Sequence, residues 1–373
     1  MLRIGILGGG QLGRMLLQCA ANYNTEMFVL ETGKNPPAAV LCHQFIEGDI
    51  RDYNTVYNFG KQVDVLTIEI ENVNIEALFR LEEEGIKIIP KPAALTIIKD
   101  KGLQKEFYRK HQIPTSDFFI IESKHELNGY LGQLPLVQKL RQGGYDGKGV
   151  EVLNEPDDFR KAFNAPCVLE KKVVIEKEIS VIVAKNEAGE TKVYPVVEMV
   201  FNPLYNLVDY LLSPAHMTQE QSETTQQLAL KVVHALESPG LFAVEMFLDI
   251  EGKIWVNETA PRAHNSGHQS IEGNYCSQYD MQMRILQNLP LGSPASTQPS
   301  LMLNLIGEKG YSGNAYYEGL ENILSIPWVY VHLYGKQETK PGRKMGHITI
   351  LGNNRIELLE KAAIIKQHIK VKA

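Results

Sequence analysis

The sequence predicts an α/β chain at its start and an α+β chain beyond it. Short apolar strands alternate with helices up to Pro92, the rhythm shortens to strands from Asp117, and a hairpin pattern stands at Phe242–Glu258. In the first region Leu2–Leu7 is a β-branched run, Gln11–Ala21 a helix, Met27–Glu31 and Val65–Ile70 strands, and Ile75–Glu84 a helix. Ile86–Ile89 closes it before Pro90 and Pro92. Such alternation implies a parallel sheet covered on both faces. Lys99–His111 reads as a charged helix ended by Ile113-Pro114.

Beyond it, Asp117–Ile121, Leu136–Leu140, Val150–Leu153, Cys167–Lys171 and Glu176–Ala184 read as strands, interrupted by one helix near Asp157–Phe163. Glu220–Glu237 is an amphipathic helix with Leu228, Val232 and Leu236 on one face. Leu291–Pro299, rich in Pro, Ser and Gly, marks a boundary, and a terminal helix spans Ile356–Lys370.

The 373 residues allow two or three domains. With 38 Lys+Arg against 44 Asp+Glu the net charge is −6, which argues against a nucleic-acid partner. No stretch approaches the ~20 apolar residues of a membrane span, so no membrane partner is expected. Cys19, Cys42, Cys167 and Cys276 lack metal-ligand spacing, and Met1–Leu7 lacks a signal-peptide layout; both fit a cytoplasmic protein.

Gly8-Gly9-Gly10-Gln11-Leu12-Gly13 satisfies G-x-G-x-x-G between a strand and a helix, and Glu31 ends the second strand. Three readings stay open: a dinucleotide site with Glu31 on the ribose, a related fold holding another phosphorylated ligand, or a tight turn without ligand. A second loop, Gly143-Gly144-Tyr145-Asp146-Gly147-Lys148-Gly149, has four glycines in seven positions. Its amides can fold over a polyphosphate, with Lys139 and Lys148 adding charge; a plain surface hairpin is the alternative.

If Glu251-Gly252 is a two-residue turn, position i opposes position 503 − i and Glu245 faces Glu258. Like charges so placed repel. A hard divalent cation such as Mg²⁺ would resolve the conflict; two separate salt bridges are the other solution. After Glu258 come Arg262, His264, Asn265 and His268 on a Gly/Pro-punctuated loop, suited to a small oxyanion.

Five segments now stand in one order: Gly8–Arg14, Glu69-Ile70-Glu71-Asn72, Gly143–Gly149, Asn257–His268 and Gly342-Arg343-Lys344-Met345-Gly346-His347. Together they resemble the ATP-grasp carboxylate–amine ligases, and among them the 5-(carboxyamino)imidazole ribonucleotide synthases of purine biosynthesis. The resemblance implies a preATP-grasp (Rossmann-like) ribonucleotide-binding domain at 1–93, a two-subdomain ATP-grasp fold at 94–295 and a small C-terminal domain at 296–373. The smaller ATP-grasp subdomain would lie near 115–175.

The family's roles fall on this chain as follows. Lys139 matches the phosphate-binding lysine, Gly144–Gly149 the loop over the triphosphate, and Glu178 the ribose ligand. Glu170, Lys171, Lys172 and Val173 match the linker whose backbone reads adenine. Glu245 and Glu258 match the Mg²⁺ ligands, with Asn257 assisting. Gln11, Leu12, Glu69, Asn265, Lys336, Arg343 and Lys344 fall where the ribonucleotide is held. Two departures concern ATP: Lys101 stands in place of an arginine, as a point charge without the guanidinium fork, and Phe201 stands near an expected histidine.

The implied reaction joins bicarbonate to the γ-phosphate of ATP and passes the resulting carboxyl group to 5-aminoimidazole ribonucleotide. Lys139 would neutralise charge, Arg262 and His264 would hold carboxyphosphate or its CO₂, and Asp146 would steer or deprotonate the amine. The same resemblance implies a homodimer. Rivals are a formate-dependent glycinamide ribonucleotide transformylase, disfavoured by the neutral Gln11, and biotin carboxylase, for which the chain is short. An NAD-dependent oxidoreductase and a non-catalytic nucleotide-binding module complete them.

Overall fold

The computed structural model describes residues 1–144, 149–202 and 207–373. The first region runs β1 (Leu2–Leu7), α1 (Gln11–Ala20), β2 (Thr25–Glu31), β3 (Gln44–Glu47), α2 (Tyr53–Gly60), β4 (Val65–Ile68), α3 (Ile75–Glu83) and β5 (Lys87–Ile88). Its sheet has the order β3-β2-β1-β4-β5, and every pairing is parallel. Strand β3 and helix α2 carry no clear sequence signal. No residue of β3 is fully buried, and α2 buries only Val56, Phe59 and Gly60.

The helix expected over Lys99–His111 is α5 (Lys101–Lys110), and a further helix that was not expected, α4 (Pro92–Lys99), precedes it. Asp100 separates them in extended conformation and caps α5, accepting from the Gly102 and Leu103 N–H groups. Arg141 grips the same carboxylate at 3.0 and 2.9 Å, so one buried aspartate fixes both the helix junction and the neighbouring sheet.

A small antiparallel sheet follows, with β6 (Phe118–Ile121), β7 (Leu136–Leu140), β8 (Val150–Leu153) and β9 (Cys167–Lys171) in the order β6-β9-β7-β8. Its apolar cluster, including Ile121, Leu136, Leu153 and Leu169, is its own. Two 3₁₀ segments, Lys124–Gln133 and Pro156–Arg160, cover it; the second replaces the helix expected near Asp157–Phe163.

The chain then builds β10 (Ile175–Lys185), β11 (Thr191–Val193), β12 (Val197–Asn202), β13 (Leu207–Ser213), α6 (Gln219–Ala235), β14 (Gly240–Asp249), β15 (Ile254–Ala260), α7 (Ser270–Gly273) and α8 (Gln278–Leu286). The last part holds β16 (Ser300–Ile306), β17 (Gly313–Asn314), β18 (Tyr316–Glu318), α9 (Leu320–Leu324), β19 (Val329–Leu333), β20 (Glu338–Thr339), β21 (Lys344–Leu351), α10 (Arg355–His368) and β22 (Lys370–Lys372). One large sheet, β15-β14-β10-β12-β13-β16-β21-β19, crosses from the middle of the chain into its C-terminal part.

Leu228, Val232 and Leu236 of α6 or its C-cap pack on one side of that sheet. On the other, Met15 and Leu16 of α1 share a cluster with Ile182, Ala243, Tyr279, Met283 and Tyr334. The N-terminal region is therefore joined to the large sheet by apolar packing. Among the described residues no helix is long and apolar enough to cross a membrane.

Candidate active site

The β14–β15 hairpin closes through three residues, Ile250-Glu251-Gly252, not the two expected. Gly252 has φ +83°, and the Asp249 N–H donates to the Lys253 carbonyl at 2.9 Å. Near the tip Met246 therefore faces Val256, one position off the expected register. A bulge at Asn257 then absorbs the difference, and Glu245 faces Glu258 as the sequence arithmetic requires. Two departures cancel. The bulge also aims Asn257 sideways, where its Oδ1 accepts from Lys139 Nζ at 2.6 Å.

The two carboxylates are separately paired in this structure. Lys101 reaches Glu258, and His264 Nε2 lies 3.1 Å from Glu245 Oε1. The Ser266 backbone N–H donates to His264 Nδ1, which assigns the ring proton to Nε2, facing Glu245. Burial pushes the Glu245 carboxyl up, aided by Glu258 and Glu178, while the Lys101 charge pulls Glu258 down. Ser180 faces Glu245 across β10–β14, and Glu178 lies two residues earlier on the same face. Burial raises Glu178 to about 7, with Lys139 opposing.

Among the described residues no three His, Cys, Asp or Glu side chains converge as a metal site. Two facing carboxylates nevertheless fit Mg²⁺, which takes one or two carboxylates and completes its shell with substrate phosphates and water. Lys101 and His264 supply the positive and proton-donating groups that the pair needs in the meantime.

Lys139 on β7 sits between Asn257 and Glu170, its Nζ 2.9 Å from Glu170 Oε1. The Glu170 carboxylate thus has a role beyond the backbone one that the resemblance implies. The residue lies inside β9, in register with Phe118 and Val137, and its side chain is buried between Lys105 and Lys139. Burial alone would raise its carboxyl, yet the two ammonium groups outweigh that and hold it at about 2. Lys171 also ends β9, so the connection to β10 consists of Lys172, Val173 and Val174. Phe201 packs on Val197, Met199 and Val208 in an apolar cluster. Gly149 has φ +86° and comes close to Gly144, while Tyr145, Asp146, Gly147 and Lys148 lie outside the described residues.

The first glycine loop is filled by the protein itself. Glu69, 6% exposed, accepts from the Gly10 and Leu12 N–H groups, and Glu31 accepts from Gly9 at 3.0 Å. A Cβ on Gly10 would stand 2.6 Å from Glu69 Oε1, which is why glycine is needed there. A pyrophosphate cradle at these amides, with Glu31 on a ribose, is thereby excluded in this conformation.

Of the ribonucleotide candidates, Gln11, Lys336 and Lys344 are joined by contacts and Leu12 and Glu69 share a cavity, while Asn265 and Arg343 bind other partners. Lys336 Nζ donates to Gln11 Oε1 at 2.6 Å and to the Lys344 carbonyl at 2.7 Å. Arg343 donates to the Glu338 carbonyl at 2.8 Å. Asn265 exchanges amide hydrogen bonds with Asn304 at 3.0 and 3.1 Å. Arg262 pairs with Glu71 at 2.9 Å and lines a small cavity with Leu12 and Glu69.

Sequence reasoning assigned no role to Lys105, Asn304 or the partnership of Glu71 with Arg262. Lys105 carried a readable signal, since helical spacing puts it on the same face as Gly102 and Tyr108. Asn304 and Glu71 carried none, because their partners lie far away in sequence.

Comparison with known proteins agrees with this architecture. Residues 1–99 match the ribonucleotide synthetase preATP-grasp domain, 106–279 the ATP-grasp domain, and 300–361 the phosphoribosylaminoimidazole carboxylase C-terminal domain. The chain is 33% identical to the N5-carboxyaminoimidazole ribonucleotide synthase of Synechococcus elongatus, over 93% of this chain and 89% of that one. It is 35% identical to the chloroplastic phosphoribosylaminoimidazole carboxylase of Vigna aconitifolia, covering 97% of this chain but 66% of that protein's length.

Among solved structures, N5-carboxyaminoimidazole ribonucleotide synthetase from Thermotoga maritima is 40% identical and superposes over the whole of both chains with TM-score 0.93. An Aspergillus clavatus N5-carboxyaminoimidazole synthase in complex with ADP and 5-aminoimidazole ribonucleotide is 34% identical. It covers 98% of each chain with TM-score 0.90.

Proposed function

This chain belongs to the N5-carboxyaminoimidazole ribonucleotide synthase family of ATP-grasp enzymes, and from that premise we propose that it carboxylates 5-aminoimidazole ribonucleotide. The co-substrates are ATP and bicarbonate, and the products are N5-carboxyaminoimidazole ribonucleotide, ADP and phosphate. The observation carrying this reading is the meeting of one hairpin and its following loop with two other regions. Glu245 and Glu258 face each other beside Asn257, which Lys139 reaches from the small sheet, while His264 lies against Glu245 and Arg262 shares a small cavity with Leu12 and Glu69.

A bicarbonate oxygen attacks the γ-phosphorus, a C–O–P link forms and ADP leaves. Catalysis here is positioning and electrostatics. Lys139, held by Glu170 and Asn257, presents its ammonium to the phosphates. Mg²⁺, when held by Glu245 and Glu258, supplies positive charge for the phosphate oxygens. Arg262 and His264 hold the carboxyphosphate or the CO₂ it releases. The ribonucleotide amine then forms the C–N bond, phosphate leaves, and the amine gives up a proton, with Asp146 the candidate to accept it. Gln11, Leu12, Glu69, Asn265, Lys336, Arg343 and Lys344 hold the ribonucleotide, Glu69 acting through the backbone it binds. On the same footing the protein is a cytoplasmic homodimer.

The test measures phosphate release from ATP with 5-aminoimidazole ribonucleotide plus bicarbonate, against glycinamide ribonucleotide plus formate. Release only with the first pair is expected. Release only with the second would install the transformylase reading, and ATP binding without release would leave a nucleotide-binding module.

A further inference from the structure

Lys105 has no part in the reaction described above, yet it is among the most deeply placed charges in the cleft. It is 2% exposed on α5. Its Nζ lies 2.9 Å from Glu170 Oε2, 2.6 Å from Thr115 Oγ1 and 3.4 Å from Ser116 Oγ. An ammonium has three protons to give, so these acceptors exhaust it and leave none for a ligand. Glu170, 3% exposed, divides its oxygens between Lys105 and Lys139, and Ser116 Oγ donates to it at 2.7 Å.

The charge sum is informative. Lys105, Glu170 and Lys139 together carry +1. Without Lys105 the pair of Glu170 and Lys139 carries zero, and both carboxylate oxygens draw on the one lysine that faces the phosphates. A buried Glu170 is not available for dilution by solvent, so the competition would be felt in full.

We infer that Lys105 is a positioning residue that neutralises Glu170, so that Lys139 keeps both its place and its net positive charge for the triphosphate of ATP. The inference rests on the reading of Lys139 as a phosphate-binding residue. It also explains why a carboxylate is tolerated beside that residue: Glu170 orients Lys139 while its charge is cancelled from behind.

The test is calorimetric binding of MgATP and, separately, of 5-aminoimidazole ribonucleotide to the full chain. Lys105→Met leaves Glu170 with Lys139 and Ser116 as partners, so no buried charge is orphaned. MgATP affinity is expected to fall about tenfold, the scale of one charge-assisted phosphate contact, with ribonucleotide affinity within about twofold. Lys105→Met combined with Glu170→Gln removes the competing carboxylate too, and MgATP affinity is expected to return to within about threefold of the parent.

A purely structural lysine would weaken both ligands and would not be rescued by the second substitution. Unchanged MgATP affinity in Lys105→Met, or no recovery in the double variant, overturns the inference while the proposed function stands. Should Lys105→Met not fold, the double variant alone decides, and weak MgATP binding by it overturns the inference. A parent chain that binds no MgATP overturns the functional reading and this inference with it.

Discussion

The N-terminal glycine loop and the β14–β15 hairpin both carry carboxylates at the edge of a cleft, but they spend them differently. Glu69 is committed to backbone: the amides of Gly10 and Leu12 cannot leave it without unwinding the start of α1. Glu245 and Glu258 are committed to side chains, His264 and Lys101, which can swing away. A carboxylate on main-chain donors builds a fold. One held by a lysine ammonium or an imidazole is open to exchange.

Substitutions test that contrast, and the largest effect belongs to the hairpin. Glu245→Ala is expected to cut ATP-dependent phosphate release by about a thousandfold, with ribonucleotide affinity nearly unchanged, as equilibrium binding would show. Normal turnover in defined Mg²⁺ would remove Glu245 from the metal site. Glu69→Ala should do the opposite, costing about 3 kcal/mol of stability in urea unfolding because buried amides lose a charged acceptor. The variant's MgATP affinity, measured where it is folded, should match the parent's.

Gly10→Ala sharpens the point with a smaller change. Its methyl would meet Glu69 Oε1 at 2.6 Å, and about 2 kcal/mol of destabilisation is expected. Lys336→Ala removes the bridge between Gln11 and Lys344. It should raise the KM for the ribonucleotide about tenfold, with the KM for ATP unmoved, in steady-state assays varying each substrate.

The sequence was legible where patterns are local. The parallel sheet, the apolar face of α6 and the strands of the hairpin all follow from spacing within a short window. The facing of Glu245 and Glu258 was also readable, although the three-residue loop and the Asn257 bulge that produce it were not. Each shifts the register by one, and no residue type marks a bulge of that kind. Strand β3 and helix α2 escaped notice because they bury little.

In the site, the residues proposed to face a ligand announced themselves by type and motif. Those that act on other protein groups, such as Glu71 and Asn304, did not, because their meaning depends on a partner more than thirty positions away. Glu170 shows the intermediate case: the resemblance named it for its backbone, and the burial of its carboxylate between Lys105 and Lys139 went unread.

The small β6–β9 sheet keeps an apolar cluster to itself and is tied to the rest of the cleft by polar links: Arg141 to Asp100, Lys105 to Glu170, and Lys139 to Asn257. Lifting such a roof separates charges and hydrogen bonds while uncovering little hydrocarbon. Its opening equilibrium should therefore carry almost no heat-capacity change, in contrast to melting of the large sheet. Calorimetry across temperature would thus see the large sheet melt but register little of any such displacement.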